Sequence, residues 1–228
     1  MRKLFLFFFS HRTLALLRWD LHFLKVRFFN VIFFRERVIN RLLHNGTKEK
    51  YLNLGSGPRG INDGRWINID GFEDTNVHYL CDFNRRLPFG DGTFDGIFCE
   101  HVLEHFDYDN GKSLMTECFR VLKKSGIIRI VVPDGNIILN AYFKEPEFIV
   151  KYKECRTGFP MEAVNAWFYQ RYEHQCIYDG DYMVDMLKAI GFSNAKKTGY
   201  SQGNMGNTEI ILDDPKYSWE SLYVEAVK

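Results

Sequence analysis

The sequence predicts an α/β fold, a mostly parallel sheet that presents its ligand site at the carboxyl edge of the strands. Three observations predict it. Residues Tyr51 to Gly60, YLNLGSGPRG, read as a short strand breaking into a glycine-rich turn. Further strands recur at short intervals and end in acids: Trp66 to Asp70, His78 to Cys81 before Asp82, and Phe94 to Cys99 before Glu100. A segment of helical spacing, Asn110 to Lys124, then leads into an apolar run, Ile127 to Val132, of the buried-strand kind. Strands alternating with turns and helices, with polar residues gathered at one end, describe a sheet of this class.

Length and composition set the bounds. The 228 residues suit one domain with an appendage, and 46% hydrophobic residues suffice to bury a core. Five cysteines (Cys81, Cys99, Cys118, Cys155, Cys176) form no CxxC pair, and are read as reduced thiols of a cytoplasmic protein. The net charge of +1 hides an asymmetry: residues 1–48 carry +8 and the remainder −7. An acidic body with a basic, aromatic arm argues against nucleic acid as a partner.

Residues 1–47 form that arm. No stretch in it reaches the roughly 18–20 uncharged apolar residues that span a bilayer, because Arg12, Arg18, Lys25, Arg27 and Arg35 interrupt. The apolar run Leu4 to Phe9, preceded by Arg2 and Lys3, is too short for a signal peptide, and no small-residue cleavage site follows it. Leu14, Leu17, Leu21, Leu24, Phe28 and Val31 step by three and four, and Val38 and Leu42 resume the stripe. Two readings stay open: helices packed on the body or on a second copy, giving a homodimer, or an amphipathic helix lying at the inner face of an anionic membrane. Asn45-Gly46 ends the arm as a C-cap pair would.

Residues 48–228 form the body. Gly55, Ser56 and Gly57 let a ligand lie against bare backbone, since glycine tolerates positive φ and has no Cβ in the way. Gly55, Gly57 and Gly60 also fit G-x-G-x-x-G, a weak signal alone. Asp70 ends the second strand 15 residues past Gly55, where an acid in nucleotide-binding α/β folds accepts from ribose hydroxyls. The helix Asn110 to Lys124 ends in Lys123-Lys124 before Ser125-Gly126, and Pro133 stops the strand that follows. Residues 136–177 read as an insertion rich in aromatics and cations, Ser193 to Tyr200 and Glu209 to Leu212 as the last two strands, and Trp219 to Lys228 as a short tail.

In order, LNLGSG, INIDG, the acid of CDF, LPFGDGTFDGIFCEHVLEHF and ECFRVLKKSGIIRIVVPD resemble the class I S-adenosylmethionine-dependent methyltransferases, more narrowly the small type 11 group. The likeness runs from about residue 50 to 135 and resumes at Tyr178 to Phe192. It implies a Rossmann-like sheet whose last strand is antiparallel, and S-adenosylmethionine as cofactor. It also implies roles: Gly55, Ser56 and Gly57 beneath the methionyl end, Asp70 on the ribose, Asp82 with Phe83 at the adenine, and Glu100 and His101 on the sulfonium side. Asn53, also expected at the cofactor, stands where the group carries an acid, so that one carboxylate contact is lost or replaced by an amide, and the eight residues between Gly57 and Trp66 are too few for the usual first helix.

Methyl transfer to oxygen needs a proton removed, which suits histidine. His101 and His174 are the candidate bases, while His105 is read as anchoring its helix to a neighbouring loop by a hydrogen bond. Glu100, His101, Glu104 and His105 spell E-H-x-x-E-H, but without H-E-x-x-H order or an outlying ligand no metal is expected. The insertion's aromatics and cations suit a small-molecule, sugar-containing acceptor, or else form a lid packed by its own aromatics. A binding protein retaining an inactive fold is the rival reading. A nicotinamide dehydrogenase is disfavoured, because the second strand begins too soon after Gly57 for the required βαβ unit.

Overall fold

The structure, a computed structural model, describes residues 11–33, 36–170, 173–205 and 212–228. The run Leu4 to Phe9, Arg35, and the strand expected over Glu209 to Leu212 (Leu212 apart) lie outside these residues, as does the side chain of Leu14.

Helices α1 (His11–Ile32) and α2 (Glu36–Leu43) precede a sheet made of β1 (Tyr51–Leu54), β2 (Trp66–Asp70), β3 (Tyr79–Leu80), β4 (Phe94–Glu100), β5 (Leu122–Pro133), β6 (Ser193–Thr198) and β7 (Ser221–Val227). The strand order is β3-β2-β1-β4-β5-β7-β6. The first five strands are parallel, and β7 runs antiparallel to both β5 and β6. The chain moves outward from β1 through β2 to β3, then returns to place β4 on the other side of β1. That reversal opens a crevice at the carboxyl ends of β1 and β4, the usual ligand position in open sheets of this kind.

Apolar runs buried on both faces set the strands. Leu52, Leu54, Ile69, Ile97, Ile128 and Ile130 are fully buried, each worth about 1.5–3 kcal/mol relative to exposure. The strand Trp66–Asp70 lies where the sequence predicts it. The first helix is indeed absent, reduced to a 3-10 turn over Gly57–Arg59.

Two expectations need correction. Helix α3 (Tyr108–Val121) stops before the lysine pair, and Lys123 and Lys124 belong to β5. The turn expected to end the helix instead bends the strand, with Ser125 at φ +66°. The stretch read as a tail is β7, wedged between β5 and β6. Its buried Glu225 meets the fully buried Arg129 at 3.2 Å. Arg129 is also paired with Asp213 and donates to the Gly199 and Gln202 carbonyls, so this buried charge is fully satisfied.

Residues 135–169 form α4 (Gly135–Lys144), α5 (Pro146–Tyr152) and α6 (Pro160–Tyr169). They share a small core of Ile138, Ala141, Ile149, Ala163 and Trp167, closed by Trp219. Helix α7 (Gly180–Ile190) then packs against α3 and the last strands.

The arm lies on the body by an unexpected face. In α1 the face turned inward is His22, Phe23, Val26, Arg27 and Asn30, whereas the leucine stripe Leu17, Leu21, Leu24, Phe28 and Val31 is exposed. In α2, Ile39 rather than Val38 enters the main core. Buried Lys50 caps α2 by donating to the Leu42 carbonyl at 3.0 Å, satisfying one of the carbonyls a helix end leaves open.

Candidate functional site

Strand β1 delivers the chain into the crevice at Gly55, with φ +73°, and Gly57, with φ +45°. A Cβ on Gly55 would lie 2.0 Å from a methyl of Val102, so backbone must stand bare there. At Gly57 a Cβ would meet nothing, which leaves that side of the loop open. The Ser56 hydroxyl between them is buried and has no hydrogen-bond partner among the described residues. A buried hydroxyl at the mouth of a glycine loop is where a bound ligand's polar group would be satisfied.

Asp70 ends β2 and ties this loop down. One carboxylate oxygen accepts from Gly57 N and the other from Phe72 N, each at 2.9 Å. A carboxylate has about four lone-pair sites, so it retains capacity for ribose hydroxyls. Asp82, past β3, is buried, accepts from Asn84 N, and pairs with Arg27 of the arm at 3.2 Å. The helix that brings Arg27 also sets His22 on the Gly71 carbonyl at 2.7 Å and Asn30 on the Leu80 carbonyl at 2.9 Å. Its Trp19, His22 and Phe23 rings cluster with Phe72. The arm therefore roofs the ends of β2 and β3.

Two expected residues are placed elsewhere. Phe83 packs into the main core. Asn53 is buried between strands and spends its amide on Asn68 at 3.4 Å.

At the end of β4, Glu100 pairs with Arg59 at 2.6 Å and accepts from Asp214 N at 2.8 Å. Burial raises its pKa, against the pull of Asp214 N–H and Arg59. His101 follows with φ +52°. Its Nδ1 lies 2.9 Å from Glu104 Oε1, its Nε2 3.4 Å from Ser221 Oγ, and its ring 4.5 Å from that of Tyr217. An ionised carboxylate only accepts, so Nδ1 carries the proton and Nε2 presents its lone pair to Ser221. Burial alone would depress the His101 pKa, but the Glu104 hydrogen bond and the charges of Glu104, Glu100 and Glu220 outweigh it, and the pKa is raised.

Glu104 and Ser221 are the residues that sequence reasoning missed here. The i, i+3 spacing of His101 and Glu104 was a usable signal. Nothing local marks Ser221, which reaches the site because β7 starts opposite Pro133 at the end of β5. A cleft of about 580 Å³ adjoins it, lined in part by Asn136, Asn140, Lys144, Tyr200, Trp219 and Ser221. His174 is not in this group. It is buried with Nδ1 on the Trp167 carbonyl at 2.6 Å, and burial lowers its pKa. His105 does make a loop contact, to the Glu173 carbonyl at 3.1 Å.

Residues 67–130 match the family model of a methyltransferase domain. No curated protein matches the chain. Among solved structures it is similar to a SAM-dependent methyltransferase from Archaeoglobus fulgidus, at 16% identity over 85% of this chain and 91% of that one, with TM-score 0.48. It is also similar to Burkholderia thailandensis 1,6-didemethyltoxoflavin-N1-methyltransferase, crystallised with that substrate and S-adenosylhomocysteine (14% identity, 96% and 90% covered, TM-score 0.48). A third is Haemonchus contortus phosphoethanolamine N-methyltransferase 2 in complex with S-adenosylmethionine (14%, 84% and 52%, TM-score 0.45). The bare glycine loop, the unpartnered Ser56 hydroxyl and the acids ending β2, β3 and β4 fit the ribose, amine and sulfonium of that cofactor. The matched segment, residues 67–130, runs from β2 into β5 and takes in β4 and the acids Asp70, Asp82 and Glu100.

Proposed function

We propose that the enzyme methylates an oxygen of a small, sugar-containing acceptor, with His101 as general base. The observation that carries this reading is the Glu104–His101–Ser221 line, which aims a basic Nε2 at the edge of the cleft. S-adenosylmethionine, when bound, supplies a methyl group on a positively charged sulfur. Gly55, Ser56, Gly57, Asp70 and Asp82 would hold it, and Glu100 would favour its charge. His101 Nε2 takes the acceptor's hydroxyl proton as its oxygen gains the methyl, and Glu104 stabilises the imidazolium that results. Asn136, Asn140, Lys144 and the Tyr200 and Trp219 rings suit hydroxyls and a sugar face. Calorimetry with S-adenosylmethionine on wild type and Asp70→Ala tests the cofactor half. We expect micromolar binding, weakened at least about tenfold in the variant as charge-assisted hydrogen bonds are lost. A methyl-transfer screen beginning with sugar nucleotides tests the acceptor.

The arm's exposed face supports a peripheral position at the inner surface of an anionic membrane. Leu17, Leu21, Leu24, Phe28 and Val31 stand in solvent beside Arg18 and Lys25, the composition of an interfacial helix. None of the helices is long and apolar enough to cross a membrane among the described residues. Flotation with phosphatidylglycerol vesicles should recover the wild type and lose Leu21→Glu/Phe28→Glu. Concentration-dependent dimerisation abolished by the same pair, without flotation, would assign the face to a second copy.

A further inference from the structure

The chain also gathers three metal-ligand side chains, of which the proposed methyl transfer uses only one oxygen of Glu104. Glu104 and His105 sit on the 3-10 turn Leu103–His105 after β4, and His174 follows α6. One ligand atom from each lies within 4.8 Å of the other two. We propose that Glu104, His105 and His174 bind a divalent transition-metal ion, with Zn²⁺ the best match to the donor set.

Tautomer, burial and preorganisation argue for it. His105 Nδ1 faces the Glu173 carbonyl and His174 Nδ1 faces the Trp167 carbonyl. Carbonyls only accept, so both Nδ1 atoms carry protons and both Nε2 atoms offer lone pairs. Holding one ring nitrogen on a backbone carbonyl is how proteins orient a metal-binding imidazole. Glu104 is buried, with Oε1 committed to His101 and Oε2 without a partner among the described residues. A buried carboxylate oxygen left unsatisfied is costly, and one divalent cation set between it and two imidazole lone pairs satisfies all three at once. The geometry is stapled before any ion arrives: Gln175 N and Cys176 N both donate to the Glu104 carbonyl, and the Gln175 side chain donates to the His105 carbonyl.

Two imidazoles and one carboxylate are a known zinc donor set, and leave a fourth position for water. The ion would pin the connection leaving the helical insertion to the turn that follows the catalytic strand. His174 is thus the outlying ligand that the E-H-x-x-E-H segment lacks in sequence.

The test uses the full chain, stripped with chelator, checked for fold by circular dichroism, and dialysed against Zn²⁺ alone. Wild type should take up about one equivalent and melt at a higher temperature with Zn²⁺ than without. His105→Ala/His174→Ala should retain under about a tenth of that metal and show no Zn²⁺-dependent melting shift. If the double variant does not fold, His105→Ala alone is compared, its side chain being the most exposed of the three. Folded wild type that binds Zn²⁺ no better than the variant overturns the proposal. S-adenosylmethionine binding is read separately and bears only on the transferase site.

Discussion

The two ends of the crevice handle the same problem differently. At each, a carboxylate at or just past a strand end is held by an arginine: Asp82 by Arg27 at the end proposed for adenosine, Glu100 by Arg59 at the end proposed for the methyl group. Arg59 belongs to the glycine loop's own turn, and Asp214 holds it a second time at 3.1 Å. Arg27 arrives on a separate helix whose far face is apolar and exposed. The end of β4 is therefore tied twice within the body, while the end past β3 is tied to the arm.

The largest expected break is at the end of β4. His101→Ala should lower the methyl-transfer rate by about 10²–10⁴-fold, the range for losing a general base, with cofactor affinity within about twofold by calorimetry. Equal losses of rate and affinity would mean that His101 shapes the cofactor pocket instead. Next is the loop that joins the two ends. Gly55→Ala forces a Cβ to 2.0 Å from Val102 at positive φ, and should cost about 1–3 kcal/mol in thermal or denaturant unfolding while abolishing cofactor binding. The smallest change sharpens the contrast. Arg27→Ala releases Asp82 from a pair that is half open to solvent, so cofactor affinity should rise by no more than about fivefold, the worth of such a pair. A fall would show that Arg27 helps to hold the ligand rather than competing for its carboxylate.

What the sequence made legible follows from how local each feature is. Trp66–Asp70 could be read to the residue because its alternation and terminal acid are contiguous. The glycine loop was legible because two positive-φ positions demand glycine. Strand β7 was not, because its polar Glu225 is explained only by Arg129, and Ser221 gains meaning only when β7 lies beside β5. The inward face of α1 was hidden for a related reason. Periodicity finds the greasiest stripe, but here the docked stripe is a mixed one whose His22, Arg27 and Asn30 meet carbonyls and a carboxylate at the sheet edge. Hydrophobic spacing reports which face avoids water, not which partner the other face recognises.

The backbone at His101, held at φ +52°, has a consequence for the history of the site. A left-handed conformation costs an ordinary residue roughly 1 kcal/mol, and glycine nothing. Glycine would relieve that strain, but it would also remove the imidazole on which the buried Glu104 Oε1 rests. The second effect is the larger, because a buried carboxylate stripped of its partner costs about 1–3 kcal/mol or more. Directed evolution toward higher melting temperature should therefore pass over His101→Gly, and a gain in melting temperature from that change would show that the Glu104 contact contributes nothing to the fold.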